Sequence, residues 1–321
     1  MAKEAYYCTV KELNELGRDA IPAQLRSNTH LIYSSPATLA FNSPGAEGFG
    51  VKRAGLAVPD SIMLIVAPGC CGRNTSLISS MREYDNRFFY LMMDETDIVT
   101  GRHLKKIPKA VEEICSCCEK RPSVVMICIT CVDALLGTDM ERVCRKAEER
   151  AGLPVRPCYM YALTREGRKP PMVHVRQSLY SLLEPKKKKG NVVNLLGFFS
   201  PLIDECELYN LLHSAGVKTV HEISRCKDYE EYQTMSEANF NLVLHPEARF
   251  AAEDFHNRLQ IPFIELRRLY QTDKIASQYQ AFGRVLGVEF SDEAYRKKAE
   301  NAVAKFKEKR PDASFAIGEC M

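Results

Sequence analysis

Residues 62–76 read IMLIVAPGCCGRNTS. Ile62 to Val66 are apolar without interruption, Ala67-Pro68-Gly69 breaks the run, and two adjacent cysteines then lead through Gly72-Arg73-Asn74 into a helical pattern. A short apolar run bounded by Pro and Gly reads as a buried strand handing over directly to a helix. The same rhythm returns along the chain. Apolar runs at 61–66, 87–93, 123–129, 154–160, 191–196, 217–223, 240–244 and 262–266 alternate with amphipathic stretches that end in Gly. Strands apolar on both faces, separated by helices, predict an α/β fold built on parallel sheets.

Helix ends support this reading. Thr138-Asp139-Met140-Glu141 reads as a capping box for a helix that closes on Gly152. Ser200-Pro201 predicts a second helix start, with Gly216 as its stop. The run Glu184-Pro185-Lys186-Lys187-Lys188-Lys189-Gly190 separates two sets of βα units and reads as a solvated linker. The expected plan is therefore tandem Rossmann-like, doubly wound, mostly parallel domains with a helical C-terminal segment. An N-terminal α/β domain spans 1–184, a linker 185–190, and a second Rossmann-like domain 191–290. Residues 291–321 then hold a helix and the strand pattern Ala313 to Ile317, either an edge strand or the opening of a third domain that the sequence does not contain.

Composition narrows the function classes. The chain has 321 residues, 45% of them hydrophobic, and a net charge of only +3, which gives no reason to expect nucleic acid as a partner. The N-terminus MAKEAYYCTV lacks an apolar signal segment, and no stretch approaches the roughly 18 apolar residues of a membrane span. A cytoplasmic location follows as the expectation. Thirteen cysteines are many for a reducing compartment, so metal or cluster binding is a better expectation than a disulfide framework.

In open parallel sheets, ligands collect beyond the carboxyl ends of the strands. Cys70 and Cys71 follow the 61–66 run, and Cys131 follows the strand VVMICIT. A helix N-terminus stabilises a thiolate, and soft thiolates select Fe–S clusters, zinc or Cu(I). A cluster needs about four such ligands. Two well-placed positions in one chain then call for a second chain.

The remaining cysteines read as structural. Cys128, Cys144, Cys158, Cys206 and Cys226 fall within strands or helices. Cys115-Ser116-Cys117-Cys118 ends a helix, where only Cys115 and Cys118 share a face, and no second pair at zinc spacing follows. Cys128 lies inside its strand while Cys131 ends it, so the CxxC they form does not read as a redox pair.

Three segments in order, Ala67-Pro68-Gly69-Cys70-Cys71-Gly72-Arg73, Glu95-Thr96-Asp97-Ile98-Val99-Thr100-Gly101-Arg102-His103-Leu104 and Thr130-Cys131-Val132-Asp133-Ala134-Leu135-Leu136-Gly137-Thr138-Asp139, resemble motifs of the nitrogenase component 1 superfamily. A fourth, Asn191-Val192-Val193-Asn194-Leu195-Leu196-Gly197, resembles the strand that opens the family's second domain. The resemblance implies a subunit of a two-component, oxygen-sensitive oxidoreductase. Two related chains, identical or not, would hold a [4Fe-4S] or larger cluster at their interface, and an ATP-dependent iron protein would supply low-potential electrons. The family cysteines fall on Cys71 and Cys131, with Cys70 in a position usually held by Gly. Asp133 is a distant further candidate ligand, and Arg73, Asn74 and His103 are candidate polar groups near Cys71.

Departures from the family pattern refine the expectation. Residues 40–46, AFNSPGA, lack the further cysteine of members with the larger cluster, which favours a bridging [4Fe-4S] cluster. His245 stands where the nitrogenase catalytic chain carries a cofactor-binding cysteine. The third domain, with its second cofactor ligand, has no counterpart beyond SFAIGECM. Three readings stay open: a reductase subunit acting on an unidentified small molecule or tetrapyrrole, a non-catalytic scaffold for metallocluster assembly, and an inactive fragment.

Overall fold

The computed structural model describes residues 15, 50–69, 84–130, 132, 136–159 and 169–313. All eight expected strands are present: β1 Ile62–Ala67, β2 Phe88–Met92, β3 Val125–Ile129, β4 Val155–Tyr159, β5 Val192–Leu196, β6 Thr219–His221, β7 Phe240–Val243 and β8 Phe263–Glu265. They form two four-stranded sheets with the orders β2-β1-β3-β4 and β6-β5-β7-β8, and every neighbouring pair is parallel. Each sheet repeats one topology. The chain steps from the first strand to one side, then crosses back and continues on the other, which places a switch point between β1 and β3 and another between β5 and β7.

The central strands are apolar throughout because both of their faces are covered. Ile62, Leu64, Val66, Val125, Ile127 and Ile129 point into a core completed by Ile107 and Val111 of the helix His103–Cys117 and by Met140, Val143 and Ala147 of the helix Met140–Ala151. Met63, Ile65, Met126 and Cys128 point the other way, into a core that also contains Leu196, Tyr232, Val243 and Phe255 from the second half of the chain. The two sheets therefore share one apolar interior.

The helix Pro171–Tyr180 is the seam of that interior. Its Tyr180 ring lies 5.2 Å from the Phe255 ring, and Arg258 reaches over to donate to the carbonyls of Leu183 at 2.6 Å and Tyr180 at 2.9 Å. The last two lysines of the run beside this seam make contacts with the second half of the chain. Lys189 pairs with Glu237 at 2.5 Å, Lys188 Nζ donates to the Ser236 carbonyl at 2.7 Å, and burial lowers the Lys188 pKa.

Local signals set most helix ends. The cap of Met140–Ala151 falls on Asp139, which accepts from Arg142 N at 3.0 Å, one residue beyond the Thr138 of the expected capping box, while Gly152 closes the helix at φ 65°, as its sequence predicts. The helix expected from Ser200-Pro201 instead begins at Glu207. A side-chain network reaches back and holds the intervening turn open: Leu202 N donates to Glu222 Oε2 at 2.9 Å, while Arg225 donates to Leu202 O at 2.6 Å and to Asp204 Oδ1 at 2.7 Å. The expected strand at 217–223 shortens to β6, with a 3-10 turn at Ile223–Arg225. Beyond β8 come the helices Thr272–Leu286 and Glu293–Lys309, the second with no buried residue. Most of the C-terminal strand pattern, 314–317, lies outside the described residues. No helix among the described residues is long and apolar enough to cross a membrane.

Candidate functional site

The first switch point is built by backbone register. Val66 of β1 pairs with Ile129 of β3, and Ala67 pairs with Met92 of β2, so three strands end at one level. Neighbouring strands lie about 4.8 Å apart. Cys70, Cys71 and Cys131, together with Arg73, Asn74 and Asp133, lie outside the described residues. Along the chain the first two cysteines follow closely on Ala67 and the third follows Thr130, so both segments leave the sheet at the same mouth.

Gly69 and Thr130 are the described residues that lead into those segments. Thr130 is 1% exposed, and its hydroxyl has no hydrogen-bond partner among the described residues. A Cβ on Gly69 would touch Met92 Cε at 3.0 Å. Met92, Val99 and Leu136, on the segments leaving β2 and β3, are exposed at 57%, 85% and 52%.

Sequence reasoning passed over Asp97 as a working residue, yet it braces this mouth. Asp94 caps the helix Glu95–Thr100 by accepting from Asp97 N at 2.6 Å, and Gly101 ends it at φ 66°. The buried Asp97 carboxylate receives Lys106 Nζ at 2.6 Å and Arg102 Nε at 3.2 Å. The hydrogen bond from Lys106 holds its pKa below the ordinary value. His103, a candidate polar group near Cys71, is buried with Nδ1 3.0 Å from the Asp97 carbonyl, which makes it part of this brace. The only signal in the sequence was the spacing D-x-x-D-x-x-x-G-R-x-x-x-K, a cap followed by basic residues one and two turns on.

Cys128, Cys144 and Cys158 are buried within strands or a helix as expected, whereas Cys206 and Cys226, expected inside such elements, are partly buried and flank them: Cys206 precedes the helix at Glu207 and Cys226 follows the turn Ile223–Arg225. Cys128 and Cys158 face each other across β3 and β4 and are fully buried; hydrogen bonding between them and burial push the Cys158 thiol well up. Burial also raises Cys115 and Cys118 at the end of the helix His103–Cys117. Among the described residues no three His, Cys, Asp or Glu side chains are grouped to hold a metal ion.

The second switch point is closed by polar contacts. Arg176, from the seam helix, is 4% exposed and donates to Gly197 O at 2.7 and 3.2 Å, to Met172 O at 2.9 Å and to Glu247 Oε2 at 2.5 Å. His245 caps the turn Pro246–Ala248 by accepting from Glu247 N at 3.3 Å and stands edge-on to Phe198 at 5.7 Å.

Two tandem parallel sheets of one topology, each with a switch point beside its first strand, define a doubly wound, Rossmann-like α/β chain. The family model for nitrogenase component 1 type oxidoreductase matches residues 47–314, and the chain belongs to that family. It is 28% identical over 224 residues to the nitrogenase iron-molybdenum cofactor biosynthesis protein NifE of Rhizobium meliloti (strain 1021), covering 67% of this chain and 47% of that protein. It is 24% identical over 267 residues to the nitrogenase molybdenum-iron protein alpha chain of Methanosarcina barkeri, covering 78% and 48%. The solved structure of nitrogenase Cp1 at pH 6.5 superposes with a TM-score of 0.60 at 17% identity, covering 83% of this chain and 62% of that one, a likeness of fold. The chain spans about half the length of the curated relatives it matches.

Proposed function

We propose that this chain is the cluster-holding subunit of a nitrogenase-like component 1 pair. Cys71 and Cys131 each supply a thiolate, an identical or related second chain supplies two more, and the four hold a [4Fe-4S] cluster at the subunit interface. The observation that carries the reading is the register of Val66 with Ile129, which brings the two cysteine-bearing segments out of one switch point. The donor set fits the group: thiolates suit iron, and the buried hydroxyl of Thr130, unpartnered among the described residues, is available as a donor toward sulfur. Bound there, the cluster stores and relays one electron at a time. The chain's own residues do the rest. The Asp97 brace fixes the wall of the mouth, and the exposed Met92, Val99 and Leu136 offer apolar surface to the second chain. In this reading residues 1–184 carry the cluster, 185–190 link, and an ATP-dependent iron protein delivers low-potential electrons for reduction of a small substrate.

A second reading, a scaffold on which a metallocluster is assembled for another protein, is favoured by the relatives whose names are those of cofactor biosynthesis proteins. Both readings require iron. Anaerobic purification with iron and sulfide assay and EPR of the reduced protein should show about four iron atoms per dimer. Absence of iron would refute both. With the iron protein and ATP added, repeated oxidation and reduction of the cluster supports the reductase, and transfer of the cluster to an acceptor protein supports the scaffold.

A further inference from the structure

The second sheet has a crevice of its own, separate from the first switch point. β5, β7 and β8 end at Leu196, Val243 and Glu265, and residues just beyond them, Phe198, Leu244 and Leu266, form one apolar wall of a cleft of about 280 Å³. Tyr279, on the helix Thr272–Leu286, stands on the other side. Crevices beyond the carboxyl ends of parallel strands are where doubly wound sheets take ligands.

Two adjacent arginines, Arg267 and Arg268, line the cleft and are exposed. Neither guanidinium has an ion-pair partner among the described residues, whereas the exposed Arg150, Arg225 and Arg249 each pair with a carboxylate. Their segment is held in place from behind: Gln278 accepts from Arg267 N at 2.8 Å and donates to Arg267 O at 3.0 Å. The Arg268 guanidinium sits 5.5 Å from the centre of the Phe198 ring, a stacking that orients it and leaves N–H edges free. The one carboxylate on the wall, Glu207, is engaged by the Tyr279 hydroxyl, which donates to it at 2.9 Å.

We infer that this cleft binds a small organic anion bearing carboxylates on a flat apolar body. The two guanidinium groups take the carboxylates in forked hydrogen bonds, and Phe198, Leu244 and Leu266 cover the body. An inorganic anion would meet the arginines alone and leave the apolar wall unused. This site does not depend on a cluster at Cys71 and Cys131, so the two assignments stand or fall separately.

Isothermal titration of the full chain tests it with three probes: phthalate, which has two carboxylates on a ring, succinate, which has the same charge without the ring, and inorganic phosphate. Phthalate binds most tightly, succinate more weakly, and phosphate gives no saturable heat. Arg268→Ala weakens phthalate by about tenfold or more, because a charge-assisted hydrogen bond is lost, while Arg268→Lys lies between. Both side chains are exposed, so the unfolding midpoint stays at the wild-type value. No phthalate binding at millimolar concentration, phosphate binding as tight as phthalate, or wild-type affinity in the Arg267→Ala/Arg268→Ala double variant would each overturn the assignment.

Discussion

Gly197 and His245 meet with no room for a side chain between them: a Cβ on Gly197 would stand 2.8 Å from the His245 backbone nitrogen and 2.9 Å from its Cβ. Gly197 also adopts φ 147°, a conformation that L residues avoid. Gly197→Ala should therefore destabilise the protein by about 2 kcal/mol or more, measured as a fall in the urea midpoint. His245→Ala should not rescue it, because the nearest obstacle is backbone. A wild-type midpoint for Gly197→Ala would show that the two strand ends can part freely.

The Arg176–Glu247 pair that closes the same mouth is buried on both sides, with side chains 5% and 11% exposed. Removing one partner leaves the other charge stranded, so Glu247→Ala should cost about 3 kcal/mol. Replacing Arg176 as well, by Met, should cost less than the sum of the two single changes. Additive losses in the double-mutant cycle would mean that the pair contributes no coupling.

His174 gives a pH dependence whose sign is fixed by burial, which lowers its pKa below 6.5, with Lys169 adding to the effect. Its Nδ1 is buried without a partner among the described residues, and its ring stands edge-on to Tyr159 at 4.5 Å. The unfolded chain then takes up a proton more readily than the folded one, so stability falls as pH drops below about 6.5 and stops falling once the folded histidine is itself protonated. The half-buried His221, its pKa lowered by burial, acts in the same direction. Urea midpoints between pH 5 and 8 should flatten in His174→Gln; an unaltered slope would assign the dependence elsewhere.

The proposed ligands make a contrast among thiols. Cys71→Ala or Cys131→Ala should lose the iron and the EPR signal, while Cys128→Ala and Cys70→Ala should retain most of both. Cys128 is a core residue facing Cys158, so its replacement by Ala should cost only about 1 kcal/mol of stability. Iron retained in Cys131→Ala would defeat the ligand assignment.

The strands were legible because each is an apolar run bounded by turn residues, and double coverage of a parallel sheet leaves little else in them. Caps written in neighbouring residues, such as Asp139 with Gly152, were legible for the same local reason. The helix start at Glu207 was not, since it depends on Glu222 and Arg225 reaching back in space to residues 202–204. Asp97 escaped notice because its importance lies in burial, which spacing alone does not reveal. The contact of Gly197 with His245, the burial of the Thr130 hydroxyl and the cleft lined by Arg267 and Arg268 likewise emerge only when strand ends are brought side by side.

The shared interior gives the lysine run a meaning that its composition conceals. Lys186 and Lys187 are exposed and invite tryptic cleavage, yet Tyr180, Phe255, Tyr232 and Leu196 belong to a single core crossing the cut. A nick there would leave two fragments that co-migrate under native conditions and separate only in denaturant. Across that point the two halves stay together through what they bury in common.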